Sequence, residues 1–189
     1  MIADKPLKRN SNIQPLSRDH HFGLLFCWKV RIGLKAGIAT DRMVRNVDYF
    51  WKGHLKKHFK EEEELLFSKV DHAICDQGKN EHTQLVHLIS LLLGNETIIS
   101  MPITNSEGYA DDSFITDKKQ IDSNEHEKTL EQFIKLLEAH IRFEERVMFP
   151  FLERHLSDEQ LMEIGEFLDK ENDDGFADNY CDEFWLFTK

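Results

Sequence analysis

The segment His58-Phe59-Lys60-Glu61-Glu62-Glu63-Glu64-Leu65-Leu66-Phe67 returns later in the chain as His140-Ile141-Arg142-Phe143-Glu144-Glu145-Arg146-Val147-Met148-Phe149. Both copies begin with His, carry a basic residue two places on, set acids at the fifth and sixth positions and close on an apolar pair ending in Phe. A histidine and a glutamate four residues apart lie one above the other on a single helix face. Two such helices can aim two imidazoles and two carboxylates at one point and build half or more of a metal site. The bare spacing also occurs at His72/Asp76 and His155/Glu159, in a chain with 35 acids and 10 histidines. It is therefore the extended repeat, rather than the His–Glu pair, that carries the signal.

Two further histidines are placed to complete the set, in Asp19-His20 and Glu81-His82. In an up-and-down arrangement, residues at one height on adjacent helices are equidistant from the turn between them. The midpoint of His20 and His58 is residue 39, at a Gly37–Asp41 break. That of His58 and His82 is residue 70, and that of His82 and His140 is 111, inside a polar stretch. Four helices can thus present four imidazoles, with Glu62 and Glu144, at one level. The first ligand stays open between His20 and His21: Asp19-His20 parallels Glu81-His82, whereas the stripe Leu24, Leu25 and Trp28 follows His21. His54, one turn before His58, reads as a solvated histidine or a gating group. His87, offset from His82 by five, is expected to face away from the site, and His72, His126 and His155 read as surface residues. Glu63 and Glu145 point about 100° away from their neighbours Glu62 and Glu144, which suits surface or outer supporting roles. Trp28, Phe59, Phe143 and Phe149 read as packing that keeps the site dry.

The elements that must position these residues are helical. Only 9 Gly and 4 Pro occur in 189 residues, and long stretches hold few breakers. The pattern predicts an all-α protein, an up-and-down four-helix bundle over 16–155, with an arm at 1–15 and a short extra helix and acidic, aromatic tail over 156–189. Helix 1 is expected from Pro15–Ser17 to about Lys35, ended by Gly37. Helix 2 is expected to follow a Thr40 or Asp41 cap and to run to Lys69. Asp71 to Asn80 reads as a connector, with Asp76-Gln77-Gly78 its turn. Helix 3 carries Leu85, Leu88, Ile89 and Leu92 to Gly94, and 95–122 reads as an irregular insertion. Helix 4 starts at Asp122 or Ser123 and runs to Arg154, with a kink expected at Pro150. Ser157 and Gln160 form a capping box for the last helix, expected to reach Leu168. The tail aromatics Phe184, Trp185 and Phe187 suggest docking on the helices or on a partner.

A formal net charge of -11 argues against nucleic acid, which needs a basic face. The three separated cysteines suit a reducing cytosol better than a disulfide framework. No apolar leader or membrane span is visible, so a cytoplasmic location is expected. Imidazole and carboxylate together suit iron, manganese or zinc.

On these residues the chain resembles the hemerythrin-like, HHE cation-binding family. That family has one His on helix 1, His-x-x-x-Glu on helix 2, one His on helix 3 and His-x-x-x-Glu on helix 4. The matching residues are His20 in Leu16-Ser17-Arg18-Asp19-His20, His58 and Glu62, His82, and His140 and Glu144, over roughly 16–155. The resemblance implies two iron ions bridged by Glu62 and Glu144, with terminal histidines and with zinc or manganese as substitutes. It also implies open positions for oxygen, nitric oxide, peroxide or solvent. Oxygen-carrying members have a second histidine four residues after the helix-3 ligand, where this chain has Val86. The reduced set resembles the branch that includes iron–sulfur repair proteins and points away from simple reversible oxygen carriage. The resemblance leaves open whether the protein binds or senses a small molecule, handles iron, or turns over as a diiron oxidase or peroxidase. The remaining alternative is a metal-free helical module with a protein partner.

Overall fold

The computed structural model describes residues 8–94, 123–171 and 176–186. Among these residues the ordered elements are helical and no strand occurs. Helix α1 (Gln14–Lys35) follows a short 3-10 turn at Ser11–Ile13 and ends at Gly37, whose φ of 65° reverses the chain. Helix α2 (40–69) is continuous but changes pitch, from Thr40–Phe50 through a π turn at Trp51–Leu55, Lys56–Glu61, a second π turn at Glu62–Leu66 and a 3-10 end at Phe67–Lys69. Helix α3 is Ala73–Leu93. Helix α4 (123–155) joins Ser123–Phe143 to Phe149–His155 through a π turn at Glu144–Met148. Helix α5 is Asp158–Glu171. The expected insertion at 95–122 and the Asp122 start of α4 lie outside the described residues.

Three local expectations are corrected. Thr40 is the first helical residue rather than the cap; Ala39 occupies the cap position, with no side-chain bond there. Asp76-Gln77-Gly78 is not a turn but the first part of α3, and the reversal falls at 70–72, where His72 accepts from the Ile74 amide at 3.1 Å. Gly78 serves packing: a Cβ there would meet the Met148 methyl and lie 3.1 Å from the Phe67 ring. The reversal at 70–72 coincides with the His58–His82 midpoint. Pro150 does not break α4. The π turn just before it takes up the missing N–H and the ring's clash with the preceding turn. The capping box forms as expected, with the Ser157 amide donating to Gln160 Oε1 at 2.9 Å and the Gln160 amide to Ser157 Oγ at 3.2 Å.

Helix α4 packs on α1 and α3, α2 packs on α3 and α1, and α5 lies against the Ser11–Ile13 turn. Two apolar clusters result. One gathers Phe26, Val30, Met43, Phe50, Ile89 and Phe133 with others. The second gathers Leu16, Leu66, Phe67, Met148, Phe149 and Leu152 and extends to α5. On each of α1 to α4 the chain passes from one cluster to the other, and the histidines and glutamates lie at the crossing. The π turns help: each lets the fourth and fifth residues after the acid, Leu66 and Phe67 or Met148 and Phe149, face the second cluster.

The described part of the tail, 176–186, docks on α1 and α2, and Phe187 lies outside the described residues. Phe184 is buried against Gly33 and Met43, Arg42 pairs with Asp182, and Lys29 pairs with Asp178 at 2.5 Å beneath Trp185. No helix is long and apolar enough to cross a membrane among the described residues.

Candidate metal centre

His20, His58, Glu62 and Glu144 form one buried group whose ligand-type atoms all lie within 4.8 Å of one another. Glu62, His82, His140 and Glu144 form a second on the same criterion. The two groups share both glutamates. Glu62 Oε1 faces His20 and His58, with Nε2 atoms at 3.4 and 3.2 Å, and Oε2 faces His82 Nε2 at 3.4 Å. Glu144 Oε2 lies 3.1 Å from His20 Nε2 and 3.2 Å from His140 Nε2, and Oε1 is 3.8 Å from His82 Nε2. All the residues predicted from sequence are therefore brought together, with His20 rather than His21 from α1. His21 is exposed.

The open choice on α1 arises because its buried face runs His20, Gly23, Cys27 and Val30, while Leu24 and Trp28 are exposed. Trp28, at 46% exposure, is thus not part of the packing around the site. Phe59 and Phe149 are. Phe59 stacks on His82 at 3.9 Å between centroids, Phe67 approaches the same ring at 5.5 Å, and Phe149 stacks on His20 at 5.4 Å. Phe143 is half-buried, packed against the second cluster.

The outer nitrogens follow a pattern the sequence did not disclose as such. An acid next in sequence to His20, Glu62, His82 or Glu144 faces a histidine on a neighbouring helix. His20 Nδ1 donates to Glu145 at 2.7 Å, His82 Nδ1 to Glu63 at 2.8 Å and His140 Nδ1 to Glu81 at 2.8 Å. His58 Nδ1 faces Asp19 at 3.6 Å, too long for a direct bond. Hydrogen bonds of this kind join α2 to α3, α3 to α4 and α4 to α1, and only the longer Asp19–His58 contact spans α1 and α2. A signal existed in the sequence, an acid adjacent to His20, Glu62, His82 and Glu144, but adjacency along the chain hid the exchange between helices. A proton on Nδ1 leaves the inward Nε2 as the free donor, the arrangement that supports metal-bound histidine.

The inward atoms find no other use. The Nε2 atoms of His20, His58, His82 and His140 and all four oxygens of Glu62 and Glu144 are buried without a hydrogen-bond partner. Leaving one such group unpaired costs roughly 1–3 kcal/mol, and more when it is charged. Cations would satisfy all of them at once, so the residues fit metal. Protons take part of that role in the protein alone. Burial by itself lowers His20, but the Glu144, Glu145 and Glu62 carboxylates outweigh it and hold the imidazole well above its usual value. Burial opposes His58 and His82 in the same way, yet Glu62 with Asp19 raises the first to about 9, and Glu62 with Glu63 raises the second to about 9. Burial opposes ionisation of Glu62, but His58, His20 and His82 keep it well below the usual range.

A small cavity touches His20, His58 and His140, leaving about 10 Å³ for the centre of a water molecule. That is near the minimum for one water molecule. Gly23, Leu137 and Ile141 form its apolar wall, and His54 closes one side. His54 is 6% exposed, not solvated as expected from sequence. It lies among Phe22, Phe50 and Phe176 of the tail, and burial, then His58, push it down to about 4. His72 and His155 are exposed as expected, His87 is exposed and lies off the site, and His126 is half-buried rather than on the surface.

Comparison of the chain with protein-family models, with characterised proteins and with solved structures returns no match.

Proposed function

We propose that the protein is a non-haem diiron protein of hemerythrin-like type, built as an up-and-down four-helix bundle, that binds or senses a small molecule such as oxygen, nitric oxide or peroxide. The observation that supports this most is the convergence of four unpartnered imidazole nitrogens and four unpartnered carboxylate oxygens in one buried layer. The resemblance of the His and His-x-x-x-Glu pattern to the HHE family agrees with it. His20 and His58 would hold one ion and His82 and His140 the other, with Glu62 and Glu144 shared. Two carboxylates offset much of the charge of two divalent ions in a medium where an unpaired charge is costly. Iron bound there supplies redox chemistry and open coordination positions. The chain's own residues shield the site with Phe59, Phe67 and Phe149 and leave beside it a cavity near the size of one water, which favours small ligands.

Val86 is half-buried and packs against the first apolar cluster, so it brings no donor where oxygen carriers have a histidine. Reversible oxygen carriage is accordingly the weakest of the family's activities for this chain; sensing, or iron handling connected with iron–sulfur repair, suits it better. The second reading is an oxidase- or peroxidase-like diiron enzyme, favoured by His54, an imidazole that borders the cavity beside His58.

The test is to load iron without oxygen and record the absorption spectrum before and after adding nitric oxide, peroxide or air. Ligand-dependent bands without turnover are expected. Sustained consumption of peroxide or oxygen would support the enzyme instead, and no spectral response to any of the three would contradict both.

A further inference from the structure

Glu145, the outer partner of His20, is itself gripped by a buried cation from outside the His–Glu repeat. Arg9, in the arm ahead of α1, has a side chain only 5% exposed. Its Nη2 donates to Glu145 Oε2 at 2.7 Å and to the Glu145 carbonyl at 2.8 Å. Ser17 Oγ donates to Glu145 Oε1 at 2.6 Å, the same oxygen that receives His20 Nδ1 at 2.7 Å. The guanidinium also lies 5.0 Å above the Phe149 ring, which stacks on His20. Arg9 therefore reaches one imidazole by two routes, through a carboxylate and through an aromatic ring. Glu81, the partner of His140, is braced instead by the neutral amide of Gln77 at 2.8 Å.

An outer carboxylate orients a ligating imidazole and makes it a stronger donor. A guanidinium on that carboxylate has two effects. Its Nη2 holds both the carboxylate and the backbone carbonyl of Glu145 and so fixes that side chain in place, and its charge draws electron density away from the imidazole. We propose that Arg9 is a positioning residue for the metal centre: it locks Glu145 so that His20 Nε2 stays aimed between Glu62 and Glu144, and it makes the ion held by His20 the more electron-poor of the two. The proposal rests on the reading of the cluster as a two-metal site. It ties the otherwise unassigned arm to the electronic inequivalence of that site.

Arg9 also anchors the arm, since Nη1 lies 3.4 Å from Glu153 and the Asn10 amide donates to Glu153 at 2.7 Å. The experiment separates these roles with Arg9→Met, Glu145→Gln, their double variant and Glu153→Gln in the full chain. Cobalt(II) titration followed by its absorption bands reads the two metal affinities, and redox titration of iron-loaded protein reads the two potentials. Arg9→Met should weaken one ion's binding about 10- to 100-fold, leave the other nearly unchanged and move one iron potential to more negative values. The double variant should be no worse than Glu145→Gln alone, because both act through one link. Glu153→Gln should match the parent. Unchanged affinities and potentials in Arg9→Met, full additivity in the double variant, or the same losses in Glu153→Gln would each overturn the proposal. Should Arg9→Met fail to fold, Glu145→Gln set against Glu153→Gln decides alone. A parent that binds no metal pair refutes the metal-centre reading itself, whereas a normal parent with an indifferent Arg9→Met refutes only this inference.

Discussion

The His82–His140 half of the cluster and the His20–His58 half contain the same residue types and are held differently. In the first, both outer nitrogens meet carboxylates at 2.8 Å, and His82 is flanked by two phenylalanine rings. In the second, His20 is held through a chain that reaches Arg9, while His58 Nδ1 is buried without a hydrogen-bond partner. Both histidines of this second half border the cavity, whereas of the first half only His140 does. One half is therefore held at both outer nitrogens, and the other pairs one braced imidazole with one unbraced imidazole beside the cavity. A small molecule entering the cavity should meet the ion of the His20–His58 half.

The largest effect should come from removing what the halves share. Glu62→Ala or Glu144→Ala leaves two cations repelling each other across one carboxylate, so binding should fail in both halves. Metal content after a chelator wash should drop well below that of the parent, and the gain in thermal stability on adding metal should vanish. A variant that loses one ion and keeps the other at full affinity would show that the halves are independent.

How far this comparison was legible in the sequence depended on the interaction. The paired His-x-x-x-Glu segments and the four helical levels were readable because helix periodicity is a local property. His20 against His21 was not, because the apolar stripe through Leu24 and Trp28 faces outward and the buried face uses Gly23 and Cys27. Gly23 admits Ile141 at a distance where a Cβ would clash, a fact of packing between helices. The Gly78 error has the same origin, a glycine chosen for the approach of Met148 and Phe67 rather than for a turn. The π turns after Glu62 and Glu144, the burial of His54 under Phe176 and the exchange of outer carboxylates between helices likewise depend on tertiary contacts.

The next effect is on pH, and it should be shared between the halves. His58 and His82 are raised to about 9 in the folded chain, against about 6.5 in an unfolded one. A raised folded value contributes stability that is fully present below about pH 6.5 and is lost as pH climbs through about 9. Metal-stripped protein should therefore melt at progressively lower temperature across that window, while metal-loaded protein should not, because cations replace the protons. His58→Gln and His82→Gln should each remove part of the slope. Metal-stripped protein that gains stability over the same window would contradict the electrostatic account.

The smallest effect should mark which half the cavity serves. Gly23→Ala forces the end of Ile141 to move toward that space. Metal content and melting temperature should stay close to the parent, since an added helix methyl and a shifted side chain roughly offset each other. Azide affinity of the iron-loaded protein should fall several-fold. Unchanged azide binding would place the entry route elsewhere.

The most direct measurement of the central claim is the number of metal ions bound per chain at equilibrium, taken by titrating chelator-stripped protein with iron(II) under anaerobic conditions and counting bound metal. The account predicts two ions per chain, bound with the release of protons and more weakly as pH falls. Saturation at one ion, or no binding above that of a histidine-free control protein, would contradict it.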